Sequence, residues 1–305
     1  MKKKLLCIFL LYLVLIMPRT SEAKAKLQEN SLPVRVICAH YLDLPENFYI
    51  TPYEVCLYAL ELVEKPQYRP QVRNFLEVLF ANVNSADKYG MCGTVYDFDI
   101  KGNTLKVKPV FDSIDGYSGI FLVLFNRYYE LTGDSTLLNA NWQKIQDIAY
   151  TIAFLQQKSG MTIALPDYPV EYLMDNCEAY GGVKAFIHLA QALQKSIDTA
   201  YYQRVADGIK AGVYSLYSEK AGTFKWCSEK DRNSWSIWEK FYPDAYAQIF
   251  PVYYGLLTDE EQKYIWKTFI ELYPSAGWKN TNLVATEQAV FCRLTQRKME
   301  GRNYE

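Results

Sequence analysis

One six-residue pattern recurs along this chain at nearly constant spacing, and it constrains the fold more than any other feature. Asp115-Gly116-Tyr117-Ser118-Gly119-Ile120 reads acid, spacer, tyrosine, two small residues, aliphatic. Glu178-Ala179-Tyr180-Gly181-Gly182-Val183 repeats it 63 residues later. Asp244-Ala245-Tyr246-Ala247-Gln248-Ile249 repeats it 66 residues after that, with Gln248 the one deviation. A fainter copy, Thr51-Pro52-Tyr53, comes one interval earlier with threonine in place of the acid. A fixed period of this kind marks a repeated supersecondary unit, and two helices of roughly 18 residues plus connections fill one period.

The helices alternate in character. Residues 111–134 carry an unbroken apolar run, Ile120 to Phe125, and end on Gly133. Apolar side chains on every side describe a helix buried all round, and Gly133 suits the left-handed C′ position. Other segments are apolar on one face only. Trp142, Ile145, Ile148, Ile152 and Leu155 form one such stripe, Tyr202, Val205, Ile209, Val213 and Leu216 a second, Ile265, Phe269 and Leu272 a third. Thr258-Asp259-Glu260-Glu261 is a capping box opening that third helix. Alternation of buried and one-sided helices predicts an all-α fold, an inner ring of parallel helices wrapped by an outer antiparallel ring. An open solenoid is the competitor, and it would leave one face of each helix pair exposed. Short β-like stretches at residues 94–98 and 105–110 flank the turn Lys101-Gly102-Asn103, and residues 162–165 and 223–226 precede the next acid-bearing helices. All enter an inner helix from its N-terminal side, so they should gather at one end of the ring beside the acids.

Residues 1–25 read as a signal peptide: Lys2, Lys3 and Lys4, a short apolar core, then Ser21-Glu22-Ala23 and Ala23-Lys24-Ala25 as cleavage sites. The mature chain is therefore expected to be exported to the periplasm, cell surface or medium, with no stable membrane anchor. Residues 26–305 carry no linker or charge block and read as one domain. The net charge of −1 with interspersed signs gives no sign of nucleic acid as a partner. Six mature cysteines, Cys38, Cys56, Cys92, Cys177, Cys227 and Cys292, fit neither a zinc site nor a dense disulfide framework. With two histidines, His40 and His188, neither a His-rich metal site nor a Ser-His-Asp triad is expected, and no cofactor motif is present.

At this point the chain resembles the six-hairpin (α/α) toroid glycosidases and their bacterial relatives. The resemblance rests on residues 111–134, on Pro166-Asp167-Tyr168-Pro169 through Gly182, and on residues 235–257 with Tyr242-Pro243-Asp244-Ala245. It implies an (α/α) toroid with a carbohydrate site at the inner-helix N-termini. The period allows four to six hairpins, so ring closure is left open.

The chemistry follows from the residues. Glycoside hydrolysis needs two carboxylates, about 5–5.5 Å apart for retention and about 6.5–9.5 Å for inversion, and neighbouring helices pack roughly 8–10 Å apart. Asp112, Asp115, Asp175, Glu178 and Asp244 recur at one level and are the candidate catalytic acids. Tyr117, Tyr168, Tyr172, Tyr180, Trp226, Trp235, Trp238, Tyr242 and Tyr246 are candidate sugar contacts. Each acid also fits a helix cap, Asp244 behind Pro243 a first-turn acid, and each aromatic fits core or rim packing. A helix N-terminus favours the ionised carboxylate, whereas a general acid needs a raised pKa; crowding of like charges supplies that. Glu178, the longest-reaching, is the expected acid and Asp112 or Asp115 the base. Two other readings stand beside hydrolysis: a polysaccharide lyase using tyrosine as base, and a glycan-binding or polysaccharide-assembly protein without catalysis.

Overall fold

The computed structural model describes residues 32–228, 234–278 and 284–301; the expected signal peptide lies outside them. In chain order the helices are α1 (Pro33–Cys38), α2 (Pro52–Leu62), α3 (Arg69–Ala81), α4 (Ile114–Thr132), α5 (Thr136–Ala140), α6 (Trp142–Leu155), α7 (Leu173–Ala192), α8 (Thr199–Ser215), α9 (Tyr246–Tyr253), α10 (Asp259–Leu272) and α11 (Thr286–Gly301). Helix α2 packs on α4, α4 on α7, α7 on α9, α9 on α11, and α11 returns to α2. That is a closed ring of five inner helices among the described residues. Outside it, α3 packs on α2, α6 on α4 and α7, α8 on α7 and α10 on α9, while α1 lies against α2 and α3. The result is an (α/α) toroid whose inner ring closes among the described residues, which settles the closure that the sequence left open.

Burial follows position in the ring. Helix α4 buries residues on every side, from Ile114 to Tyr128, and ends as expected on Gly133 in the left-handed conformation. Outer helix α6 buries Ile145, Ile148, Ile152 and Leu155 along one stripe and leaves Tyr150 and Phe154 in solvent. The described cysteines are free thiols, Cys92 partly exposed and the others buried. Strands β1 (Asn47–Ile50), β2 (Asp97–Lys101) and β3 (Thr104–Lys108) form an antiparallel sheet, and β4 (Tyr217–Ser218) and β5 (Thr223–Phe224) a short hairpin. The connections do enter at the inner-helix starts. There the first N–H groups, which have no partner within a helix, are taken up by loop carbonyls. Ile114 N–H donates to Ala164 at 2.8 Å and Leu173 N–H to Trp226 at 3.0 Å.

The ring is fastened by an ion cluster. Glu61 in α2 is buried and accepts from Arg293 Nε at 2.9 Å, Arg293 Nη2 at 2.7 Å and Arg297 Nη2 at 2.6 Å, both arginines on α11. Burial alone would raise the Glu61 carboxyl; the two guanidiniums outweigh it and hold its pKa below the ordinary range. A depressed folded-state pKa gives stability that is present above the unfolded value and lost as pH falls through the folded one. Glu61→Gln is therefore expected to destabilise by about 2 kcal/mol at neutral pH, less than a fully buried pair because the arginines are half-exposed. Melting of both proteins from pH 8 to pH 3 checks this: the gap should be flat above about pH 5 and shrink in acid. Equal melting temperatures at neutral pH would refute the role.

Candidate active site

Where the inner helices begin, the ring encloses a cavity of about 220 Å³. Every inner helix supplies a wall: Tyr53 and Glu54 from α2, Tyr117 from α4, Met174, Asp175 and Glu178 from α7, Tyr246 and Phe250 from α9, Glu287 and Gln288 from α11. Asp112 and Ser113 before α4 and Tyr242 before α9 complete it. Five carboxylates thus share one cavity, and no lysine, arginine or histidine stands among its lining residues.

The walls are held from behind. Tyr53 Oη donates to Glu178 Oε1 at 2.6 Å. Its ring lies 6.0 Å from that of Tyr117, whose hydroxyl donates to Asp97 Oδ1 on β2 at 2.9 Å. Tyr49 donates to the other oxygen of Asp97. Glu54 accepts from Thr51 N–H and Oγ1, both at 2.9 Å, in a capping box that fixes the start of α2. Gly116 makes room for the acids. A Cβ there would stand 2.8 Å from Glu178 Oε2, 2.7 Å from Ser113 Oγ and 3.5 Å from Asp175 Cγ.

Burial pushes Glu178 and Asp175 well above the ordinary carboxylate range. For Glu178 the charge of Asp175 adds to it, and for Asp175 the charges of Asp115 and Asp112 do. Asp112 is exposed as a residue, and desolvation on its cavity side still raises its carboxyl. The dipole acts within the first turn, whereas Glu178 lies beyond the first turn of α7, buried among other acids.

Asp115 and Asp244 lie off the cavity wall. Asp115 is fully buried, its Oδ2 accepting from Thr162 Oγ1 at 2.6 Å and its Oδ1 from Gly116 N–H at 2.9 Å. Burial pushes its pKa up to about 6 against those hydrogen bonds. Asp244 is buried, accepts from Ile237 N–H at 3.1 Å and pairs with Lys240 at 2.8 Å, so it anchors the turn entering α9.

The packing of α4 on α7 explains why two equivalent acids part company. A Cβ on Gly182 would lie 2.6 Å from Gly119 Cα, and one on Gly119 would lie 2.4 Å from the Glu178 carbonyl. The two small residues of the motif therefore meet each other across the crossing. Two parallel helices that meet through the same motif position turn the same face to each other. Successive residues are 100° apart on a helix, so the acid that points to the axis on α7, Glu178, corresponds on α4 to one turned off it, Asp115. Gly116 takes the axis-facing place on α4. By the same rotation Tyr117 reaches the cavity and Tyr180 does not.

Of the nominated aromatics, Tyr117, Tyr242 and Tyr246 line the cavity. Tyr168, Tyr172 and Trp226 form a separate surface group at the start of α7. The two tyrosine hydroxyls are 3.1 Å apart and the rings of Tyr172 and Trp226 stack at 6.3 Å. Trp235 is exposed with Lys225 over its ring at 4.3 Å, and Trp238 is half-buried against the core. The sequence reading missed Glu54, Glu287 and Tyr53. The Thr51-Pro52-Tyr53 echo was the available signal for Tyr53, and it sits at the start of an inner helix as the full copies do.

No family model and no curated protein matches the chain. Among solved structures it is similar to a rhamnosidase from Klebsiella oxytoca, at TM-score 0.55 and 13% identity over 84% of this chain and 48% of that one. It is also similar to a GH76 α-mannanase from Bacteroides thetaiotaomicron, at TM-score 0.52 and 13% identity over 88% and 77% of the two chains. A cellobiose 2-epimerase from Bacillus thermoamylovorans matches at TM-score 0.50 and 8% identity over 83% and 72%. The chain spans about half the length of the rhamnosidase. At such identities the likeness is one of fold. The chain has an (α/α)-toroid fold, which it shares with these solved structures.

Proposed function

We propose that this protein is an exported glycoside hydrolase that cleaves a glycosidic bond of a neutral glycan, with Glu178 as general acid and Asp112 as base. The observation that carries the reading is two carboxyls in unlike surroundings in one cavity: Glu178, buried with its pKa raised well above the ordinary range, and Asp112, exposed at the open side. Hydrolysis needs one acid that keeps its proton and one that gives it up, and unlike surroundings are what separate two carboxyls in that way. Tyr53 donates to Oε1 of Glu178, which leaves the carboxyl proton free for the leaving-group oxygen. Asp112, on the open side, holds the attacking water. Asp175 stands near both, and its charge sets how strongly Glu178 keeps its proton. Tyr242, 51% exposed, and Tyr246 beneath it offer ring faces to a sugar. The cavity is smaller than the roughly 300–1,000 Å³ of drug-sized pockets, which fits one terminal sugar unit.

A lyase acting on uronates fits less well, because a wall of five carboxylates without a cation opposes a negatively charged sugar. Incubation with neutral and uronate-containing polysaccharides tests the reading. Reducing ends should appear from a neutral glycan without absorbance near 235 nm. Absorbance at that wavelength from a uronate polymer would point to the lyase. Binding of a neutral glycan without turnover would point to the non-catalytic glycan-binding protein.

A further inference from the structure

One buried group below the acid cavity takes no part in the hydrogen bonding of the acids. Tyr254, at the C-cap of α9, is 9% exposed, and its buried hydroxyl has no hydrogen-bond partner. Buried polar groups in folded proteins are almost always paired, so this idle donor is kept at a cost in stability.

Packing sets where the donor lies. A Cβ on Gly181 would stand 2.2 Å from Tyr254 Cδ1, so the tyrosine ring rests on the bare backbone of α7. Residues three apart share one face of a helix, which puts Glu178 one turn from that contact, toward the start of α7. The electrostatics agree. After burial, the charge of Glu178 does most to push the Tyr254 phenol well above its ordinary pKa, and Tyr254 in turn bears on Tyr53, the donor to Glu178 Oε1. The phenol therefore stays an O–H donor beside the acid.

A protonated Glu178 is neutral, accepts from Tyr53 and has no need of a second donor. As a carboxylate it offers about four lone-pair sites, and in a buried place it needs more partners than one. The last torsion of a glutamate is soft, and a phenolic O–H also turns, so rotation lets the carboxylate take up the idle donor.

We propose that Tyr254 is a positioning residue for Glu178, its hydroxyl being the donor that stabilises the carboxylate formed when the proton leaves. The inference rests on the reading of Glu178 as general acid. As the glycosidic C–O bond breaks, its electron pair stays on the leaving oxygen, which takes the Glu178 proton. The attacking water gives a proton to Asp112, and exchange with solvent restores both acids. A contact made only as charge develops raises kcat without tightening the binding of substrate.

Infrared titration of the full chain reads the Glu178 carboxyl without any substrate, its band assigned by its loss in Glu178→Gln. The groups that bear on Glu178 are Asp175 and Cys177 on α7, Asp112 and Asp115 at the entry to α4, Tyr53 on α2, and Tyr242 and Tyr246 at the entry to α9. Tyr254→Phe leaves all of them in place. In that variant the protonated Glu178 band should persist about one pH unit or more higher than in wild type, the worth of one hydrogen bond to a charged group. Its melting temperature at neutral pH should equal or exceed that of wild type, because the hydroxyl it loses is unpaired. On a hydrolysed glycan, kcat should fall about tenfold or more with KM unchanged, and the basic limb of the kcat profile should move up in step with the band. An unchanged Glu178 midpoint, or a variant that melts well below wild type, overturns the proposal. Full activity in Glu178→Gln overturns the reading on which it rests. An inactive Glu178→Gln beside a fully active Tyr254→Phe with an unmoved basic limb overturns the proposal alone.

Discussion

Glu178→Gln is expected to lower hydrolysis of the true substrate by about 10²–10⁴-fold and at the same time to raise the melting temperature. Both effects have one cause. A carboxyl whose folded-state pKa is raised binds its proton more tightly in the native than in the unfolded chain. Stability from that group is therefore fully present below the unfolded value, near 4.3, and is lost as pH climbs toward the folded one. Glutamine keeps the oxygen that accepts from Tyr53 and does not ionise. The stability gap between variant and wild type should thus be near zero at pH 4. It should widen by up to about 1.4 kcal/mol per pH unit above that, or roughly 2–4 °C per kcal/mol for a domain of this size. Calorimetric melts from pH 4 to pH 8 read it directly. A gap independent of pH would mean that Glu178 is ionised in the fold, and the assignment as acid would fall. A variant that melts higher and keeps full activity would move the catalytic acid elsewhere.

The second large effect is expected at Gly119. A single methyl placed there would lie 2.4 Å from the carbonyl of Glu178 and 2.7 Å from the nitrogen of Ala179, both backbone atoms. Backbone cannot swing aside as a side chain can, so α4 and α7 must separate. Gly119→Ala is expected to cost about 4 kcal/mol or more, in the range reserved for gross packing faults, and to displace Glu178 from Tyr53. Gly133→Ala is the control: its φ of +66° is strained for alanine, but a Cβ there has open space. That change should cost about 1–2 kcal/mol and leave the site intact. Urea unfolding of the two variants separates a crossing that defines the fold from a local turn. Equal losses would mean that the crossing relaxes.

Those glycines also explain what was legible in the sequence. Burial is a property of a whole helix, so apolar residues all round α4 and one-sided stripes on α6, α8 and α10 revealed inner and outer positions directly. Ring closure was less readable because α11 is the most polar of the inner helices, and its partnership with α2 includes the ion cluster of Glu61, Arg293 and Arg297. The recurring acid and tyrosine looked like a site signature, yet the glycine that two of the three copies carry behind the tyrosine records the meeting of Gly119 and Gly182. The motif thus found the right level of the ring, and helix rotation decided which copies face the axis. It put Glu178 in the cavity and left Asp115 and Asp244 holding loops. Glu54 and Glu287 went unseen because a single acid in a first turn looks like any dipole-favoured residue.

The clasp on Glu61 has a consequence in time. Its two ends, Glu61 and Arg293, are 232 positions apart in the chain. At about 5–20 residues per second of synthesis, α2 exists for roughly 10–50 s before α11 leaves the ribosome. Throughout that interval one flank of α2 has no neighbour, and the acid cavity lacks the wall that carries Glu287 and Gln288. Contacts this distant in sequence are also slow to form once the chain is released. A nascent or truncated chain ending before α11 therefore has outer and inner helices but no enclosed cavity, and should be inert toward a glycan however much helix it has already formed.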